Sequence, residues 1–260
     1  MKRRILNVML LVLISSCTKD ELVIRQGDCI PFYISDTYNY PIQPGTDEWK
    51  ELSSLTEKVE VCQIPEKKLK TISTEGLLET LLNYPLISDY LFFEHIQNGF
   101  NRIKTENNGF SELYSRKNIF EVITERYELM SLDCEEDLYP PFVLGEAAPV
   151  SISLETFELF IFQDEFLDNL KENQQYQIFE LVYEKHENKK NHDFSGYSKL
   201  VSEAILGKIM FENDFSPFVE ICNELDFIKF FIEIIPVYRP VNISLSEIIE
   251  ENAKKYKAGR

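Results

Sequence analysis

Apolar residues recur at spacings of three and four along most of the chain, the signature of helices with one buried face. Thr46 has the chemistry of an N-cap, with Asp47 and Glu48 in the first turn and Trp49 opening an apolar face. Ser73 and Thr74 precede Leu77, Leu78, Leu81 and Leu82, and Pro85 suits the first turn of a helix running to Phe93. Asn98-Gly99-Phe100 and Asn108-Gly109-Phe110 repeat a tripeptide without flanking strand alternation, which predicts breaks between short helices. Ile119, Phe120, Ile123, Tyr127 and Met130 share one face. So do Leu154, Phe157 and Ile161, then Ile178, Leu181 and Val182, then Leu200, Val201, Ala204, Ile205 and Ile209. The cleanest stripe runs Phe218, Ile221, Cys222, Leu225, Ile228, Ile232 and Ile235 and ends at Pro236. Leu245, Ile248, Ile249 and Tyr256 mark a last helix, closed by Lys254, Lys255 and Lys257, which complement the helix dipole.

Roughly ten helices with short connections predict an all-α fold. No fixed period repeats, so an irregular multi-helix bundle is preferred to a helical-repeat-like array. Residues 17–45 read as an extended N-terminal segment punctuated by Pro31, Pro41, Pro44 and Gly45. Its few apolar residues are expected to lie along the helical body, because an isolated strand pair is marginal. Residues 46–132 form an N-terminal helical region. Residues 133–152, with Pro140, Pro141, Gly145 and Pro149, form a loop or boundary, and residues 153–260 form a C-terminal helical region.

The first sixteen residues follow a different logic. Lys2, Arg3 and Arg4 precede a ten-residue apolar run from Ile5 to Ile14, half the length needed to span a bilayer. That is the layout of a signal peptide, here residues 1–16. Ile14-Ser15-Ser16-Cys17 resembles a bacterial lipobox, which implies cleavage after Ser16 and lipidation of Cys17. Two or more acyl chains hold a protein stably on a membrane. Lys19-Asp20-Glu21 resembles the export signal of Bacteroidetes lipoproteins, which implies the outer leaflet of the outer membrane; a periplasm-facing anchor is the alternative.

The chain has 260 residues, 44% of them hydrophobic and 27% charged, with a formal net charge of −17. This is the composition of a folded globular protein. Losing Lys2, Arg3 and Arg4 with a signal peptide makes the mature chain more acidic still. Such a charge argues against nucleic acid and against a polybasic contact with anionic lipid.

Candidate chemistry is sparse. Cys29, Cys62, Cys134 and Cys222 allow three disulfide pairings, but Cys62 and Cys222 lie at helical spacing and read as buried thiols. No CxxC pair occurs, so a zinc ribbon or a thioredoxin-type site is not supported. The histidines are His95, His186 and His192. His186-Glu187 followed by His192 misses the H-E-x-x-H spacing by two residues, and the Lys-rich run around it reads as an exposed helix end or loop. Ser195-Gly196 lacks the first Gly of a nucleophile elbow. The acidic cluster Asp133, Glu135, Glu136 and Asp137 matches no EF-hand and reads as a solvated turn. Tyr33, Tyr38 and Tyr40 are candidates for stacking on sugars or for anchoring the N-terminal segment. No catalytic residue, cofactor or metal ligand is expected.

Pro44-Gly45-Thr46-Asp47-Glu48-Trp49, Cys62-Gln63-Ile64-Pro65, Tyr84-Pro85-Leu86 and Asn108-Gly109-Phe110 together resemble an N-terminal region shared by uncharacterised secreted or lipid-anchored proteins of Bacteroidales. The resemblance implies export and brings no activity and no functional residues. The leading expectation is an outer-membrane lipid-anchored helical protein with a binding or interaction role, its partner an envelope protein or a glycan. The alternatives are an exported hydrolase using carboxylates or a Cys–His pair, and an accessory subunit of an envelope complex.

Overall fold

Helix starts follow side-chain capping. Thr46 Oγ1 accepts from the Trp49 amide at 3.2 Å and opens α1, Asp47–Glu51. Ser54 and Glu57 form a capping box at α2, Leu55–Val61. After the short α3, Glu66–Leu69, Ser73 Oγ accepts from the Gly76 amide at 2.9 Å and opens α4, Thr74–Leu82. The 3-10 helix η1, Ile87–Phe92, follows Pro85, where a longer helix was expected. Then come α5, Ile96–Glu106, α6, Asn108–Ser115, and α7, Ile119–Leu129. The C-terminal part holds α8, Val150–Phe162, α9, Asp164–Leu167, α10, Glu172–Lys189, and α11, Tyr197–Glu212. It closes with α12, Ser216–Glu224, α13, Asp226–Ile234, and α14, Leu245–Ala258.

The structure is a computed structural model and describes residues 34–132, 150–190, 197–237 and 245–260. Among these the fold is all-α, as the periodicity predicts. The one β-type contact is a bridge between His95 and Pro236.

Two helix boundaries depart from the sequence pattern. Asn98-Gly99-Phe100 lies inside α5 and does not break it. Gly99 is there for space: a Cβ on it would sit 2.7 Å from Tyr90 Cα and 2.8 Å from the Tyr90 carbonyl oxygen in η1. Gly99→Ala is therefore expected to destabilise the protein by about 1–3 kcal/mol in urea unfolding, despite alanine's better helix propensity. A neutral result would mean that η1 and α5 do not approach this closely. At Asn107 the break does occur, because its side chain caps α6 by accepting from the Gly109 amide at 2.8 Å.

The stripe from Phe218 to Ile235 is two helices. Leu225, at φ −127° and ψ 83°, separates α12 from α13, with no Gly or Pro to announce it. Ile235 then turns left-handed at φ 48° before Pro236, which a preceding residue cannot follow in a regular helix.

The extended segment is fastened to the helices. The Asp36 carboxylate accepts from the Ser73 amide at 2.6 Å and from Ser73 Oγ at 2.9 Å. The Tyr38 amide donates to Thr80 Oγ1 at 2.9 Å. Tyr40 is buried against Tyr38 and Tyr84, with ring centroids 5.3 and 5.8 Å away. Anchoring thus accounts for Tyr38 and Tyr40 better than sugar stacking does. Tyr33 lies outside the described residues.

Two of the distinctive motifs meet in space. Asn108 reads the backbone of Ile64 on both sides, accepting from its amide at 3.0 Å and donating to its carbonyl at 2.8 Å. Gln63 donates to the Glu106 carbonyl at 2.8 Å, and Asn107 donates to the Cys62 carbonyl at 3.1 Å. Their role is to lock the chain after α2 onto the α5–α6 junction.

Helices α8 and α11 form the centre. Every residue from 154 to 163 and from 200 to 207 is buried, so neither helix has a solvated face. A helix buried on all sides normally carries only apolar residues. These two carry Glu155, Glu158, Ser202 and Glu203.

Candidate functional site

Buried carboxylates must find partners or lose their charge. Glu158 on α8 finds Lys189, the last residue of α10, whose Nζ donates to both carboxylate oxygens at 2.6 and 2.7 Å. Tyr127 of α7 adds a hydroxyl to Glu158 Oε1 at 2.8 Å. Both members of the ion pair are fully buried. Glu155, one turn earlier on α8, faces Tyr90 of η1 at 3.4 Å, and Tyr90 also meets Thr156 Oγ1 at 3.0 Å. Burial, with the nearby Glu158 charge, pushes the Glu155 carboxyl up to about 8. Lys185 donates to the Met130 carbonyl at 2.6 Å, and burial pulls its ammonium down to about 8.

A second group of side chains adjoins the first through Ser202. Ser202 Oγ lies 3.3 Å from Lys189 Nζ and 3.0 Å from His186 Nδ1. Glu250 of α14 reaches the other face of the imidazole, with Oε1 at 3.2 Å from Nε2. Lys190 pairs with Glu250 Oε2 at 2.8 Å and with Glu187 Oε1 at 2.6 Å. Burial pulls the His186 imidazolium down to about 4. Partial burial raises Glu250, but the hydrogen bonds and charges of Lys190 and then His186 outweigh it and hold that carboxyl below its usual range.

Ser202, His186 and Glu250 form a chain of the kind found in serine hydrolases, but with the roles at the ring reversed. The hydroxyl sits on Nδ1 and the carboxylate on Nε2, whereas a nucleophile is activated by Nε2. Ser202 is also fully buried in the middle of α11, where backbone amides serve the helix rather than an oxyanion. The arrangement presents no nucleophile to a substrate. The described thiols are held neutral as well: burial pushes Cys62 up to about 12 and Cys222 up to about 11, and neither forms a disulfide.

His186 and Lys189 correct the sequence reading of this stretch as an exposed end. Both are fully buried, because α8, α11 and α14 supply the partners that remove the cost of desolvation. Of the three histidines, His186 alone joins this network within the described residues. His95 packs edge-on against Phe230, with ring centroids 5.7 Å apart, and His192 lies outside the described residues. So do Cys17, Lys19, Asp20, Glu21, Cys29, Cys134 and the cluster Asp133, Glu135, Glu136 and Asp137. Trp49 is half-buried with Lys58 Nζ 5.4 Å above its ring.

The surface offers two further features. A shallow depression of about 270 Å³ lies between α5 and the α8–α9 junction, but its polar groups pair with one another, Gln97 with Gln163 and Lys104 with Glu165. Around the end of η1, Phe92 is 85% exposed and Leu91 41%, and Phe230 of α13 is 46% exposed. No helix among the described residues is long and apolar enough to cross a membrane. Comparison with protein-family models, curated proteins and solved structures found no match.

Proposed function

We propose that the protein is a lipoprotein, anchored to the outer membrane through Cys17, whose helical body binds a partner at the cell envelope. The observation that carries this reading is Ile14-Ser15-Ser16-Cys17, placed directly after a basic and then apolar leader. Lys19, Asp20 and Glu21 support display on the outer face, and the resemblance to exported Bacteroidales proteins points the same way. The side-chain chemistry supports binding over catalysis: the described thiols are neutral, and Ser202 of the central Ser–His–Glu chain is fully buried within α11. Exposed Leu91, Phe92 and Phe230 are the kind of surface that an interaction uses.

Labelled palmitate is expected to enter the wild-type protein and not Cys17→Ser, which is expected to leave the membrane fraction. Protease added to intact cells is expected to cut the wild-type protein. Lack of label in the wild type, or membrane retention of an unlabelled Cys17→Ser, refutes the anchor, and survival alongside cleaved surface controls refutes display. A photo-crosslinker replacing Phe92 in intact envelopes tests the interaction. A discrete adduct with an envelope component supports it, and its absence under conditions that crosslink a known complex counts against it.

A further inference from the structure

The hydroxyl of Ser202 has a single proton. It lies 3.0 Å from the Lys199 carbonyl, an acceptor to which that proton can go. Ser202 Oγ is then an acceptor toward its other neighbours, Lys189 Nζ at 3.3 Å and His186 Nδ1 at 3.0 Å. In that arrangement Nδ1 carries the imidazole proton and Nε2 is left with a lone pair, whereas in the other tautomer Nε2–H donates to Glu250. That lone pair faces Glu250 Oε1 at 3.2 Å, itself an acceptor. Two acceptors at this distance repel unless something positive lies between them.

A third ligating group stands beside the pair. One ligand atom each from His186, Glu203 and Glu250 can be chosen so that all lie within 4.8 Å of one another. From these observations we propose that the protein binds one first-row divalent cation, of the zinc type, through His186 Nε2, Glu250 Oε1 and the Glu203 carboxylate. With metal–ligand bonds of about 2.0–2.2 Å, the edge of a tetrahedron is about 3.3 Å, close to the His186–Glu250 spacing already present. Glu203 is the third ligand of the set, within 4.8 Å of the other two. The imidazole ligand selects against magnesium and calcium, which take oxygen.

The surroundings are those of a metal centre. In the tautomer that a metal needs, Ser202 accepts the Nδ1 proton and aims Nε2, the part played by an outer-sphere acceptor. Lys190 neutralises Oε2 of Glu250 and leaves Oε1 turned inward. The His186 side chain is only 1% exposed but that of Glu250 is 29%, so a cation can arrive from the α14 side, where water supplies the fourth ligand. The ligands come from α10, α11 and α14, so the ion ties the C-terminal helix to the centre of the fold. The effect expected of the ion is on how α14 is held, and it leaves the proposed interaction role untouched.

The test uses full-length protein purified in detergent and stripped with chelator. Calorimetric titration with zinc chloride is expected to show one ion per chain, and at a zinc concentration about 100 times Kd the melting temperature is expected to rise by about 5 °C or more. Glu250→Gln and Glu203→Gln are each expected to weaken binding at least about tenfold, roughly the loss of 1.4 kcal/mol or more, while His95→Gln leaves it unchanged. Glu250 is partly exposed, so its variant stays informative if Glu203→Gln folds poorly. Cobalt is expected to bind without a thiolate charge-transfer band, which separates this site from any cysteine. Stoichiometric binding that survives both Glu variants, or a thiolate band, overturns the assignment. So does the absence of one-to-one zinc binding, which would mean that a proton alone bridges His186 and Glu250.

Discussion

Lys189→Met is expected to destabilise the protein by about 3–5 kcal/mol, a large part of the 5–15 kcal/mol that holds a typical domain folded. Lys189 is fully buried and donates to both oxygens of Glu158. Without it the fully buried Glu158 carboxylate keeps, among the described residues, the Tyr127 hydroxyl at 2.8 Å. Guanidinium unfolding measures the loss, and the double variant Glu158→Leu/Lys189→Met separates its cause. If the penalty comes from an uncompensated charge, removing both charges restores most of the stability, because an apolar pair of similar volume needs no partners. A single variant that costs less than about 1 kcal/mol would show that water reaches this carboxylate.

Glu155 is expected to lower stability as pH rises from about 5 to 8; Glu212, which burial raises to about 7, acts in the same direction, and His186, which burial lowers to about 4, acts in the opposite direction below 6.5. The folded-state value of Glu155, about 8, lies above the ordinary 4.5. Below 4.5 both the folded and unfolded chains hold the proton, and the group does not oppose folding. Between 4.5 and 8 the folded chain keeps a proton that the unfolded chain has released, so each step up in pH favours unfolding. Above 8 the change is complete. A shift of this size corresponds to a loss of up to about 5 kcal/mol across the window, at 1.4 kcal/mol per unit. The groups around Glu155 fix the sign: burial and Glu158 raise it, and Lys189 and Tyr90 lower it by less. Glu155→Gln is the neutral isostere. Its stability advantage over the wild type is expected to grow as pH rises from about 5 to 8. A difference between the two that stays constant over this range would mean that Glu155 ionises freely in the folded protein.

The helices were legible because their causes are local. Thr46 and Ser73 are capping residues by chemistry, and each opens the helix that follows it. The misses have tertiary causes. Gly99 resembles a helix breaker until Tyr90 is seen behind it. Leu225 divides a stripe whose periodicity continues through the break. His186 and Lys189 stand in a run of Lys, Glu and Asn that looks solvated, and only partners from 13 to 64 residues away show otherwise. The signal that could have found the polar centre was in the partner helices. Glu155 and Glu158 interrupt an otherwise apolar run, as do Ser202 and Glu203 in theirs. A carboxylate placed where a helix has no outward face must be answered by a partner or give up its charge. Which one answers it is decided by packing, and sequence spacing does not carry that information.

If Cys17 is lipidated as proposed, the Asp36–Ser73 clasp sets a geometric bound on how the protein stands at a bilayer. Nineteen residue steps lead from Cys17 to Asp36, and at no more than about 3.6 Å each that length of chain reaches at most about 70 Å. With acyl chains on Cys17, the leash ends at the start of α4, so the corner formed by Asp36 and Ser73 can never rise higher than that above the headgroups. A binding partner rooted in the same leaflet would have to come within this radius to be captured.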